Sequence, residues 1–298
     1  MTFLVVSPGL APGGRRNRLA QSALYAADRL SHQYAPNAER RMRPSHAAVW
    51  QLQGISSADR QALLADLESL RDTHHADIAL VQQPYRWEDF SVLAMDMDST
   101  VITIECIDEI ADFAGKKDQV AAITEAAMRG EIKDYAESLR QRVALLAGLP
   151  AGVLQEVIRY RLKFTPGVKD LVDTANARGL HTLLVSGGFI QFTDFVSEKI
   201  GFAQTRSNTL EIIDGQLTGR LVGKIVDATI KAQTVAAACK KLGVNMRRAI
   251  TVGDGANDLK MMTASGLSIA HRAKPAVAAQ ANQAIRFGGL DNVLDWFA

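Results

Sequence analysis

The chain alternates short apolar runs with segments whose apolar residues recur at helical spacing, and that alternation changes character twice. Phe3–Val6 is an apolar run stopped by Ser7-Pro8-Gly9. Leu19, Ala23, Ala27, Leu30 and Tyr34 then predict an amphipathic helix, broken at Pro36-Asn37. Residues 39–43 are polar and predict an edge strand, and His46–Leu52 predicts a second strand. Leu63, Leu67 and Leu70 form one stripe of a helix over residues 57–71, and Ala76–Val81 predicts a last strand. The order is βαββαβ, the split βαβ or ferredoxin-like pattern.

Past residue 90 the pattern changes. Val92-Leu93-Ala94 is short and uniformly apolar, as a strand buried on both faces should be. Residues 105–163 then carry helical stripes only. Ile107, Ile110, Ala111 and Ala114 form one, closed by Gly115; Tyr135, Leu139, Val143 and Leu146 form another. From Thr165 helices and strands alternate. Leu180–Val185, Ala249–Val252 and Leu267–Ala270 predict strands, and residues 190–200 and 229–243 predict helices. Asn208–Arg220 predicts a hairpin turning at Asp214-Gly215. This is an α/β fold with a doubly wound, mostly parallel sheet. The division expected is a small α/β domain over 1–85, a core over 86–104 and 165–298, and a helical insertion over 105–164 that packs on the strand ends. Pro84 to Asp89 is the expected linker.

Composition narrows the function classes. In 298 residues, 47% are hydrophobic and the net charge is +2, so a large core is affordable and no strong field calls for nucleic acid. Two distant cysteines, Cys106 and Cys239, suit a reducing compartment without disulfides. No apolar run approaches the roughly 20 residues of a membrane span. The basic residues Arg15, Arg16 and Arg18 follow the first apolar stretch, the wrong order for a secretory signal. A cytoplasmic location is expected. An Arg-rich transit peptide is the alternative, since the first acidic residue is Asp28.

Three polar clusters fall where strands end. They are Asp96-Met97-Asp98-Ser99-Thr100, Ser186-Gly187-Gly188 and Gly253-Asp254-Gly255-Ala256-Asn257-Asp258. Residues i and i+2 of a strand share a face, so Asp96 and Asp98 converge. Two carboxylates that close demand a cation, a shared proton, or a phosphate with its metal. Open α/β sheets bind ligands at the carboxyl ends of their strands. In the helical block, Arg142 sits at i+7 from Tyr135 and i+3 from Leu139, beside the buried stripe. Its planar fork suits a carboxylate. Glu105 opens the first helix of that block, where an acid also suits a helix N-terminus. Cys106 and Met261-Met262 read as packing, and His74-His75 as a surface loop.

Over residues 90–298 the three clusters, in this order and with Lys231 between the last two, closely resemble the haloacid dehalogenase-like phosphohydrolase superfamily. With the helical block included, the resemblance is to its phosphoserine phosphatase family. The element order of residues 1–85 resembles the ACT family of small regulatory domains.

The superfamily resemblance implies Asp96 as nucleophile forming an aspartyl-phosphate, and Asp98 as general acid and base. It implies Mg²⁺ held by Asp96, Asp254 and the backbone carbonyl of Asp98. Asn257 and Asp258 would hold metal-bound waters and orient the lysine. Ser186 and the Gly187 amide would grip phosphate, and Lys231 would neutralise the transferring phosphoryl group, with Lys224 as rival. Glu105 would take the substrate's ammonium and Arg142 its carboxylate, and Tyr135 would shield the pocket. The implied reaction is hydrolysis of O-phospho-L-serine to L-serine and phosphate, the last step of serine biosynthesis. Three alternatives stay open: another small phosphomonoester as substrate, a phosphotransferase, or a regulatory protein built around residues 1–85. The N-terminal unit leaves open dimerisation, amino-acid sensing and plain bracing.

Overall fold

Two sheets divide the chain in sequence order. A computed structural model describes residues 2–129, 131–132 and 134–298. The first sheet takes its strands from β1 (Thr2–Pro8), β2 (Glu39–Met42), β3 (Ala48–Leu52) and β4 (Ala76–Val81), with helices α1 (Gln21–Tyr34) and α2 (Ser57–His74) between them. Strand order is β2-β3-β1-β4, and β1 runs antiparallel to both β3 and β4. The alternation of β1 sorts its side chains. Leu4 and Val6 join Trp50, Leu52, Leu63 and Leu67 under the helices. Val5 points the other way and joins the main core with Ala79, Trp87 and Trp296. Helix α2 starts at Ser56, whose hydroxyl accepts from Asp59 N at 3.1 Å, and stops where His75 turns left-handed at φ 48°.

The second sheet has seven strands in the order β11-β10-β9-β5-β6-β7-β8. They are β5 (Val92–Met95), β6 (His181–Phe189), β7 (Gln204–Ile213), β8 (Gln216–Val222), β9 (Ala249–Gly253), β10 (Leu267–His271) and β11 (Gln283–Ile285). All neighbours pair in parallel except β7 with β8, the hairpin turning at Asp214-Gly215. Helices α3 (Cys106–Phe113), α4 (Lys117–Met128), α5 (Tyr135–Ala144) and α6 (Gly152–Tyr160) intervene between β5 and β6. Helices α7 (Val168–Ala177), α8 (Ile190–Ile200), α9 (Ala228–Lys241), α10 (Leu259–Ala264) and the short α11 (Pro275–Ala278) complete the fold. The chain leaves β5 toward β6 on one side and later returns to β9 on the other. Strand order therefore reverses at β5, which opens a crevice at its carboxyl end. The helical block is tied to the hairpin: Gly148 N and Leu217 N donate to Leu217 O and Leu149 O, each at 2.8 Å.

The stretch expected as a linker is built into a seam. Trp87 is buried and stacks on Phe297 at 3.9 Å, because the segment's aromatics have an apolar wall to meet. Polar groups close the rest of the seam. Asp77 is buried and accepts from Arg286 N, Phe287 N, Gly288 N and Asn292 Nδ2 at 2.7 to 3.0 Å. Asp295 accepts from Ser7 Oγ and Ser45 Oγ, each at 2.6 Å, and pairs with Arg16. Met261 and Met262 lie in the core as read, and both cysteines are free and buried. His75 is held edge-on against Phe287. Among the described residues no helix is long and apolar enough to cross a membrane.

Candidate active site

Asp96 is the first residue past β5. Its Oδ1 accepts from Met97 N at 2.7 Å, which fixes the side chain at the strand exit. The chain then folds into a tight turn over Met97–Val101, closed by Ile102 N to Met97 O at 3.0 Å, with Ser99 at φ 55°. A serine in that left-handed region is a strained choice, and such choices concentrate at functional sites.

Two more loops converge on Asp96. Helix α9 is capped by Asp227, whose Oδ1 accepts from Ile230 N at 2.7 Å. One turn on, Lys231 is fully buried, and its Nζ lies 2.6 Å from Asp96 Oδ2 and 2.9 Å from Asp258 Oδ1. Asp254 follows β9, and its Oδ1 accepts from Thr100 Oγ1 at 2.9 Å. Asp258 closes the loop, accepting from Gly255 N at 3.2 Å. Ligand atoms of Asp96, Asp254 and Asp258 all lie within 4.8 Å of one another.

Charge balance says what this cluster lacks. Fully ionised, three carboxylates facing one ammonium would leave two negative charges in a buried space. Burial, with Asp258 adding, pushes Asp96 well above the usual carboxylate range, although Lys231 opposes. Burial likewise raises Asp254, to about 6. Burial works against the Lys231 ammonium, but Asp258 and Asp96 outweigh it and hold the charge firmly. A divalent cation would cancel the deficit, and an all-oxygen donor set suits a hard one. The residues present fit such an ion.

The Ser186-Gly187-Gly188 cluster lies in β6, beside the strand that ends at Asp96. Ser186 is fully buried, and its Oγ accepts from Gly188 N at 2.8 Å. Its own hydroxyl proton is thereby left to donate elsewhere. A Cβ on Gly187 would collide with the Tyr135 hydroxyl, and one on Gly188 would sit 3.0 Å from Asp98 Oδ2. Backbone, Tyr135 and Asp98 are thus in one place. Asp98 Oδ1 is buried without a hydrogen-bond partner among the described residues. Burial, with the Glu105 charge next, pushes Asp98 up to about 8. Cys106 is buried beside it, and burial then Asp98 keep its thiol protonated, which fits packing.

Glu105 Oε1 accepts from Ser99 Oγ at 2.6 Å, so the strained turn also holds the acid, whose charge acts on Asp98. Arg142 is half-buried, donates from Nε to Ser138 O at 3.4 Å, and lies in the field of Glu105 and Asp108. Lys224 is exposed and lines a separate groove with Arg140 and Arg220, so Lys231 is the lysine that meets Asp96. Asn257 turns its amide oxygen back over Gly255, and Asp258, not Asn257, is the residue bonded to Lys231.

Sequence reasoning gave no role to Thr100, which holds Asp254, or to Asn208, which is 2% exposed on β7. A signal for Asn208 existed, since it shares the buried parity of its strand with Leu210.

Comparison with known proteins agrees with this geometry. The haloacid dehalogenase-like hydrolase family model matches residues 90–266. A phosphoserine phosphatase of Polaromonas sp. is 56% identical over 211 residues, 70% of this chain and 89% of that one. The unliganded structure of a probable phosphoserine phosphatase from Vibrio cholerae superposes with a TM-score of 0.77 at 34% identity, covering 99% of this chain and 85% of that chain. A phospho-aspartyl intermediate analogue of phosphoserine phosphatase gives 0.65 at 34% identity, covering 70% of this chain and 99% of that chain. With more than half its length matched and a relative this close, the chain belongs to the haloacid dehalogenase-like hydrolases.

Proposed function

We propose that this protein is a phosphoserine phosphatase that hydrolyses O-phospho-L-serine to L-serine and phosphate with Mg²⁺. The observation that carries the reading is the buried Lys231 between Asp96 and Asp258. In this reading Asp96 attacks phosphorus, and the bond from phosphorus to the serine oxygen breaks. Asp98 supplies the proton that oxygen needs to leave. Its pKa of about 8 suits an acid that must be protonated at neutral pH.

Asp98 then takes a proton from water, whose oxygen attacks the phosphorus of the aspartyl-phosphate. That step frees Asp96 and inorganic phosphate. Lys231 stands against the phosphoryl charge throughout. Asp96, Asp254 and the Asp98 carbonyl would hold Mg²⁺, with Asp258 adjacent. When bound, the ion supplies positive charge to the phosphoryl oxygens.

Glu105 and Arg142 supply one acid and one base for the ammonium and carboxylate of phosphoserine. The helical block over 105–164 acts as the cap that brings them there, and Tyr135 closes the pocket against Gly187. Asn257, on the loop that follows β9, would contact the substrate.

The test is phosphate release from phosphoserine, phosphothreonine, phosphoethanolamine and a sugar phosphate, with and without chelator. Phosphoserine should lead clearly, and chelator should stop turnover. Equal rates on all four, or rates unmoved by chelator, would refute the reading. Hydroxylamine should trap the acyl-phosphate in the wild type and not in Asp96→Asn.

A further inference from the structure

The ladder between β6 and β7 breaks at the phosphate-side loop. Val185 pairs with Arg206 and Phe189 pairs with Asn208, so three residues of β6 face one of β7. Those three are Ser186, Gly187 and Gly188. Such a bulge takes backbone groups out of the ladder and frees them to face a ligand. It also orphans a buried carbonyl, which must find a partner.

The Asn208 side chain is that partner. Its Nδ2 donates to Gly187 O at 2.8 Å. Its Oδ1 accepts from Val226 N at 2.8 Å. Val226 is in the segment that enters α9, five residues ahead of Lys231. The peptide between Gly187 and Gly188 is therefore pinned at both ends, by Asn208 at its carbonyl and by Ser186 Oγ at its N–H. One amide also joins the loop to the helix that carries the lysine.

An amide serves both partners at once, as donor and as acceptor. A carboxylate could accept from Val226 but would repel the Gly187 carbonyl, and a hydroxyl is too short to span the two. We propose that Asn208 is a positioning residue that sets the phosphate-gripping loop of Ser186 and Gly187 against Lys231. The proposal rests on the reading of the site as a phosphatase and adds a residue to it.

The test compares Asn208→Asp and Asn208→Ser with the wild type in Mg²⁺ buffer, after melting curves identify the variants that fold. Competition by inorganic phosphate and by L-serine is measured separately. In this reading the loop grips the phosphate and not the serine end of the substrate, so the inhibition constant for phosphate should rise about tenfold or more, as for one lost buried hydrogen bond. The constant for L-serine should stay within about twofold. Should Asn208→Asp not fold, the serine variant carries the same comparison.

A phosphate constant that does not move overturns the proposal. So does a parallel rise in both constants, which would mean general distortion. If the wild type binds neither phosphate nor L-serine, the phosphatase reading itself fails, and this proposal with it.

Discussion

Lys231 Nζ stands 2.6 Å from Asp96 Oδ2, and the lysine side chain has no exposed surface. A buried ion pair adds little net stability, but removing one partner strands the other. Lys231→Met leaves Asp96 and Asp258 facing each other without a counter-charge. In chelator, the variant should lose about 3–5 kcal/mol by urea unfolding. Saturating Mg²⁺ should return part of that loss, because an ion that binds only the folded state stabilises it. A midpoint in chelator equal to that of the wild type would show that the carboxyls are neutral there.

In the function proposed above, Arg142 carries the choice of substrate. Arg142→Ala should raise KM for phosphoserine by about one to three decades, as for a lost charge-assisted pair. Turnover of a phosphate monoester that lacks a carboxylate, such as phosphoethanolamine, should hardly change. Steady-state kinetics on both substrates checks this, and equal losses on both would assign Arg142 to the fold.

His271 ends β10 and is 1% exposed. Burial, with the Arg272 charge adding, holds its imidazole down to about 4, against 6.5 when unperturbed. The unfolded chain therefore binds a proton between those values that the folded chain refuses. Stability is full above about pH 6.5 and falls as pH drops toward 4, by about 3 kcal/mol over the window. Urea midpoints from pH 7.5 to 4.5 should fall less steeply in His271→Leu than in the wild type. Parallel slopes would mean that the ring takes up its proton as readily in the folded chain as in the unfolded one.

Much of this was legible because its signals are local. The spacing of Asp96 and Asp98 after an apolar run, the Asp214-Gly215 turn and the stripe through Leu63, Leu67 and Leu70 each need only a few neighbours to interpret. What was not legible is long-range. Lys224 and Lys231 are equivalent as letters, and only the turn of helix begun at the Asp227 cap sends one inward. Asn208 finds its partners 21 residues back and 18 residues on. The short strand β11 and the Leu290–Trp296 turns have too few residues to show a period, and they are ordered by packing against residues near the N-terminus.

That seam yields the last prediction. Asp77 lies 209 to 215 residues from the four groups it accepts from, and it is 1% exposed. Three of its donors are consecutive backbone N–H groups, which no change of rotamer can redirect. Asp77→Ala leaves them unpaired, at about 1–3 kcal/mol for each group that water cannot reach. The loss should exceed that of Asp77→Asn, which keeps one acceptor oxygen. Because Asp77 sits on β4 and its donors follow β11, the damage should not stay on one side of the seam. Tryptophan fluorescence follows Trp50 under the N-terminal helices and Trp296 near the C-terminus together. In the wild type a single urea transition is expected, and in Asp77→Ala either an earlier single transition or a split into two. A variant that unfolds at the wild-type midpoint would show that the seam is held by its aromatics alone.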